Sequence, residues 1–227
     1  MVSFYGNFSK KEINVMKTMK KVALMLCAVL AIGMMAGCGS FDASAYVKAV
    51  LDNSYKNDST GYVNQKIATK EEAEEIYNQG LDQEMDAFIS GAGISVSDEI
   101  KADFRQLFAD LYAATDYTVG ESEKQDDGSY KVTVEYKKLK VFAPAYEAYM
   151  KELESIDTSS FENEQELYDK VFTVLSDCIK AELANPQYGD TETTTITVSL
   201  KDKLYTPSET DLYNLEQALF DIDEMGK

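Results

Sequence analysis

The chain has no histidine and no tryptophan among its 227 residues. The first absence removes the commonest metal ligand and the side chain that most readily titrates near neutral pH. The second removes the best stacking platform for sugars or cations. Cysteine is scarce: Cys27, Cys38 and Cys178 are all there are, too few and too scattered for a disulfide framework. Basic residues are few as well. Lys and Arg number 22 against 40 Asp and Glu, a formal net charge of −18. That balance excludes the basic patches on which nucleic-acid binding and adhesion to anionic lipid depend. It suits a surface kept soluble by its charge. The sequence holds no glycine-rich phosphate loop, paired CxxC, zinc signature or nucleophile elbow. It therefore implies no cofactor. No repeat and no low-complexity block is visible.

The most distinctive stretch present is Met19 to Cys38, MKKVALMLCAVLAIGMMAGC. Lys20 and Lys21 precede an apolar run from Val22 to Met35, and Ala36 and Gly37 follow it. A positive flank, a short apolar run and a small-residue cleavage site define an export signal. The run is too short to span a bilayer core, which needs about 20 apolar residues. Met35-Ala36-Gly37-Cys38 resembles the lipobox of bacterial lipoproteins, with Met where that family usually has Leu. The resemblance implies a diacylglycerol thioether on Cys38, acyl chains such as palmitate, cleavage before Cys38 and a mature chain held on the membrane. Residues 1–37 then read as a signal with an upstream extension, and a start at Met16 or Met19 would give the more usual flank. Residues 38–40 read as a lipidated tether and 41–227 as one domain. Three residues reach at most about 10 Å, so the folded body should sit close to the membrane. Cleavage removes five lysines and only one acid, Glu12, so the mature part is more acidic still.

Helices are marked by caps and by apolar residues at helical spacing. Asp42 caps a helix to about Lys56 with Tyr46, Val47, Val50, Leu51, Ser54 and Tyr55 inward. Asn57 to Gly61 reads as a polar loop. Thr69 and Glu72 form a capping box for a helix ending near Gly91 and Gly93, and Ser97 caps the next one. Tyr117–Glu123 and Tyr130–Leu139 alternate as strands around Asp127-Gly128, a hairpin signal. Pro144 opens a helix with Tyr146, Tyr149, Met150 and Leu153 on its face. Ser159 and Glu162 read as a second box, before a helix to about Ala184. Thr193–Leu200 is a strand, and Thr206-Pro207-Ser208-Glu209 reads as a third box with Pro at the first helical position.

Candidate chemistry is thin. Asp103, Asp110, Glu135 and Glu147 could serve a carboxylate hydrolase, but in so acidic a chain most acids belong to wetted helix faces. Asp126-Asp127 and Asp221, Asp223, Glu224 are acid-dense, without the spacing of a calcium loop. Neither catalytic nor metal-binding residues are assigned. Cys178 lies on an apolar stripe, where a thiol behaves as a small hydrophobe. The many tyrosines on inner stripes read as core with phenols at its edge, or as an aromatic-lined pocket.

The order of elements predicts an α+β fold. About three antiparallel strands, including the hairpin, would pack against several amphipathic helices. A cystatin-like or NTF2-like curved sheet is the analogous superfold. Cys38, Thr69–Asp82 and Tyr117–Tyr136 resemble uncharacterised lipoproteins of Gram-positive bacteria, a group that implies no activity. The expected function is a non-enzymatic binding or interaction module, lipid-anchored on the extracytoplasmic face of the cell membrane. Its expected partners are membrane lipid through Cys38 and an envelope protein or a small apolar ligand, and not nucleic acid. The alternatives are a carboxylate-dependent envelope hydrolase and a lipoprotein that captures a small ligand.

Overall fold

A computed structural model describes residues 34–35, 41–201 and 203–226. Cys38, the proposed tether and nearly all of the expected signal lie outside them. The elements are β1 (Met34–Met35), α1 (Ala43–Lys56), α2 (Thr60–Asn64), α3 (Lys70–Ala92), α4 (Asp98–Ala113), β2 (Asp116–Lys124), β3 (Tyr130–Lys140), α5 (Phe142–Glu154), α6 (Glu164–Leu183), β4 (Gln187–Lys201), β5 (Leu204–Pro207) and α7 (Glu209–Ala218). The fold is α+β, as the element order predicts. An antiparallel sheet runs β5-β4-β3-β2, with two-residue β1 beside β5. The helices gather over one face of it. Among the described residues no helix is long and apolar enough to cross a membrane.

The sheet follows from alternation. Val132 and Val134 on β3, and Ile196 and Val198 on β4, are fully buried. Lys131, Thr133 and Glu135 are exposed. Val132 sits opposite Ile196 and Val134 opposite Thr194. A register shift between Lys137 and Leu139 breaks the alternation, so Leu139 is buried three residues after Tyr136. Such a bulge bends its strand. Val132→Ala is therefore expected to cost about 1–3 kcal/mol, by lost burial and a cavity. Thr133→Ala should stay within about 0.5 kcal/mol. Urea denaturation of the two variants checks this, and equal losses would mean that both sheet faces are covered.

The caps at Asp42, Thr69 and Ser97 form as predicted: each side chain accepts a backbone N–H from the first turn of its helix. Four expectations are corrected. Asn57–Gly61 is not all loop, because α2 begins at Thr60 and buries Tyr62 completely. Gly61 permits this: a Cβ there would lie 2.6 Å from the Cβ of Ala49. The helix after Ser159 starts later, with Asn163 as cap, accepting from the Glu166 N–H. Ser159 instead donates to Asp157 in a single 3-10 turn. Pro207 is not the first helical residue. It ends β5 opposite Val198, and Ser208 caps α7 by accepting from the Asp211 N–H. A residue with no N–H suits an edge strand as well as a helix start. Met150 is exposed, while Phe142 and Ala145 complete the buried face of α5.

The hairpin tip is also longer than a two-residue turn. Strand pairing ends at Lys124 and Tyr130, and only Gly128 within the connection takes a left-handed φ, of 86°. The Asp127 carboxylate accepts from Ser129 N–H and Oγ at 2.9 and 2.6 Å.

One apolar core joins these layers. Phe88 of α3, Phe104 of α4 and Phe172 of α6 meet at ring separations of 5.1 to 5.8 Å. α1 lies between this helical group and the sheet, with Tyr46, Val47, Val50, Leu51 and Tyr55 all buried.

Candidate functional site

The carboxylates considered for acid/base work are not gathered. Asp103 of α4 accepts from Ser176 Oγ and Lys180 Nζ of α6. Its burial would raise the carboxyl, but the bonds from Lys180 and Ser176 and the Lys180 charge outweigh it and hold Asp103 below its ordinary value. This is a tie between helices. Asp110, Glu135 and Glu147 are exposed on α4, β3 and α5.

The acid-dense segments also have structural partners. Lys138 Nζ of β3 reaches Asp223 at 3.3 Å and Glu224 at 3.5 Å. Asp221 is buried and accepts three backbone N–H groups at the start of α5. Val141 and Phe142 donate to Oδ1 at 3.1 and 2.7 Å, and Ala143 donates to Oδ2 at 3.0 Å. A helix start leaves such donors without intrahelical partners and favours negative charge. Val141, in the cap position, makes no side-chain cap of its own. Burial pushes the Asp221 carboxyl up, against the pull of those three donors. Lys56 does the converse at the end of α4, donating to the carbonyls of Ala113 (2.8 Å) and Thr115. Among the described residues no three acids or cysteines are grouped to hold a metal ion.

Two buried acids were not singled out from the sequence. Glu84 of α3 and Glu216 of α7 both lie in the core near Tyr112 of α4. Tyr112 donates to Glu216 Oε1 at 2.9 Å. Burial pushes the Tyr112 phenol far up, and the charges of Glu216 and then Glu84 add to it. The signal was present: Glu84 is three residues after Leu81 and four before Phe88, and Glu216 lies likewise between Leu212 and Leu219. Each acid therefore stands on an apolar stripe. Tyr112 and Glu216 are fully buried, so their bond ties α4 to α7 out of reach of any substrate.

The tyrosines resolve as core. Tyr46, Tyr55, Tyr62, Tyr112 and Tyr149 are among the largest fully buried side chains. A cavity of about 10 Å³ lies between α5 and α6, lined by Phe142, Ala145, Tyr146, Tyr149, Leu175 and Met225. That is room for about one water, whereas ligand pockets start near 300 Å³. Cys178 is half-buried on α6, and its thiol is pushed up by burial and by Glu152, Asp177 and Glu182. A thiol so shifted carries little thiolate at neutral pH and reacts slowly.

The remaining distinctive cluster sits where the described domain begins. Phe41 stacks on Tyr205 of β5, with centroids 3.7 Å apart and planes 4° from parallel. It meets Tyr130 of β3 edge-on at 5.4 Å and Tyr46 of α1 at 5.5 Å. Tyr46 donates its O–H to the Tyr205 carbonyl at 3.2 Å. These rings fix the first residue of the domain to one end of the sheet, the end that carries both hairpin tips. No family model, curated protein or solved structure matches the chain.

Proposed function

We propose that the chain is an extracytoplasmic lipoprotein, anchored through Cys38, whose folded body is a non-enzymatic binding or interaction module. The observation that carries this reading is the docking of Phe41, three residues after Cys38, against Tyr205 and Tyr130. A signal with a small-residue cleavage site runs directly into a cysteine, and the packed domain starts almost at once. Here the body is held within about 10 Å of its proposed anchor. The non-enzymatic part is supported by the use of Asp103 and Asp221 as acceptors for neighbouring elements.

The test is metabolic labelling with a fatty acid in a bacterial host that processes lipoproteins. The native chain should take up label and sediment with membranes. Cys38→Ala should take up none and should be released. Label retained by Cys38→Ala would overturn the anchor.

A further inference from the structure

The outer edge of β4 is left open where β5 stops. β5 covers only Val198 to Lys201, and its last residue, Pro207, sits opposite Val198. At Thr197 the chain itself takes up the outward groups. The Thr197 N–H donates to Asp211 Oδ2 at 2.8 Å, and its carbonyl accepts from the Ser208 N–H at 2.7 Å. Both groups therefore point away from β3. In antiparallel pairing every second residue shares that direction, and the register with β3 is unbroken from Val198 to Thr191. The N–H and C=O groups of Thr191, Thr193 and Thr195 face outward as well. All three residues are exposed, and among the described residues no hydrogen bond takes up these groups. Sheet edges are commonly blunted by lysine, proline or a bulge. The β2 edge has its bulge between Val119 and Ser122, and β5 has Pro207. From Thr191 to Ile196 the β4 edge reads Thr-Glu-Thr-Thr-Thr-Ile, with none of the three.

We infer that the β4 edge from Thr191 to Thr195 is a strand-addition site for an extended, basic peptide segment of a partner protein. Alternating outward donors and acceptors are matched by a second extended backbone. Five residues of it, about 17 Å, would lie in line with β5 and end against Ser208 and Asp211. The charge beside the edge chooses the occupant. Asp190 and Glu192 are exposed on β4, Glu209 is exposed at the start of α7, and no basic residue stands between Gln187 and Lys201. Lysine or arginine on the incoming strand would meet these acids. A second copy of the chain would bring the same acids on a body of net charge −18, and the two would repel. The inference rests on the binding-module half of the reading above, to which it adds a site and a partner chemistry, and it does not need the anchor.

The test uses the full chain in neutral detergent micelles and a synthetic peptide of alternating lysine and valine, seven residues long, with a glutamate-for-lysine peptide as control. Fluorescence anisotropy of the labelled peptides reads binding, and amide hydrogen exchange reads the edge. The lysine peptide should bind and the glutamate peptide should not. On binding, exchange at Thr191, Thr193 and Thr195 should slow at least about tenfold. Exchange at Thr194, whose N–H already faces β3, should not change. Thr193→Pro removes one outward donor and no bond to β3, a change that edge positions tolerate. It should weaken the lysine peptide about tenfold, the size of one lost hydrogen bond. Glu192→Lys leaves the backbone alone and should weaken it about threefold, as added salt should. A lysine peptide that does not bind would overturn the site. Binding that leaves the three amides unprotected and ignores Thr193→Pro would be adhesion to an acidic surface, and would overturn it too. Protection that rises with chain concentration and without peptide would assign the edge to a second copy, against the inference. Mass analysis of Cys38 in the same sample separates the two readings. An acyl mass without protection at Thr193 overturns the edge and leaves the anchor standing, and protection without an acyl mass does the reverse.

Discussion

Asp221→Ala is expected to destabilise the protein by about 3–5 kcal/mol, from a lost helix cap worth about 1 kcal/mol and two buried donors left unsatisfied at about 1–3 kcal/mol each. Three N–H groups, of Val141, Phe142 and Ala143, lose their acceptor together. The first two are buried, so water cannot fully replace the carboxylate. The helix that loses its cap is α5, whose first residue Phe142 also packs on Phe220 at 5.8 Å. The segment before Asp221 is bound in turn: the Leu139 N–H donates to the Leu219 carbonyl at 2.7 Å. Asp221→Asn should cost less. Its carbonyl oxygen can still accept from Val141 and Phe142, while its amide would face the Ala143 donor. Urea denaturation of the native chain and both variants measures the difference. Equal losses for Asn and Ala would show that charge, and not hydrogen bonding, holds the cap.

Phe172→Ala should be as severe, at about 3–5 kcal/mol. Phe172 is fully buried where α3, α4 and α6 meet, with its ring 5.3 Å from Phe104 and 5.8 Å from Phe88. Ring pairs of this kind add about 0.5–1.5 kcal/mol beyond the area they bury. Neighbouring helices are tied by Asp103 to Ser176 and Lys180, so they cannot close in on the space left behind. Phe172→Leu should lose roughly a third as much, because most of the volume remains. The same denaturation series decides it. A small loss for Phe172→Ala would mean that α6 relaxes toward α4.

Much of the fold was legible because local rules agreed with one another. The Thr69–Glu72 box and the caps at Asp42 and Ser97 stand as read, since a cap needs only the residues beside it. The alternation of β3 stands for the same reason, whereas β2 shifts register between Val119 and Ser122 and loses it. Misreadings arose where one residue type serves two local structures. Pro207 fits a helix start and a strand edge alike, and the strand won because Ser208 caps better and Val198 offers a partner. Tyr62 was missed because α2 is short, and it is the contact of Gly61 with Ala49 that holds it in place. The long-range polar ties were the least legible. Asp221 and the α5 start are about 80 residues apart, and Glu216 and Tyr112 are 104 apart. Spacing rules do not reach so far. Only the acids at 84 and 216, standing on apolar stripes, carried a local hint.

The cap on α5 sets an order for folding during synthesis. The helix start is made long before the residue that completes it. Until residue 221 has emerged, α5 lacks its buried acceptor, and Leu139 lacks the strand-like partner at Leu219. A domain closed by such a distant contact completes its folding late. On the proposed extracytoplasmic reading the chain crosses a membrane in extended form, and late closure is compatible with that passage.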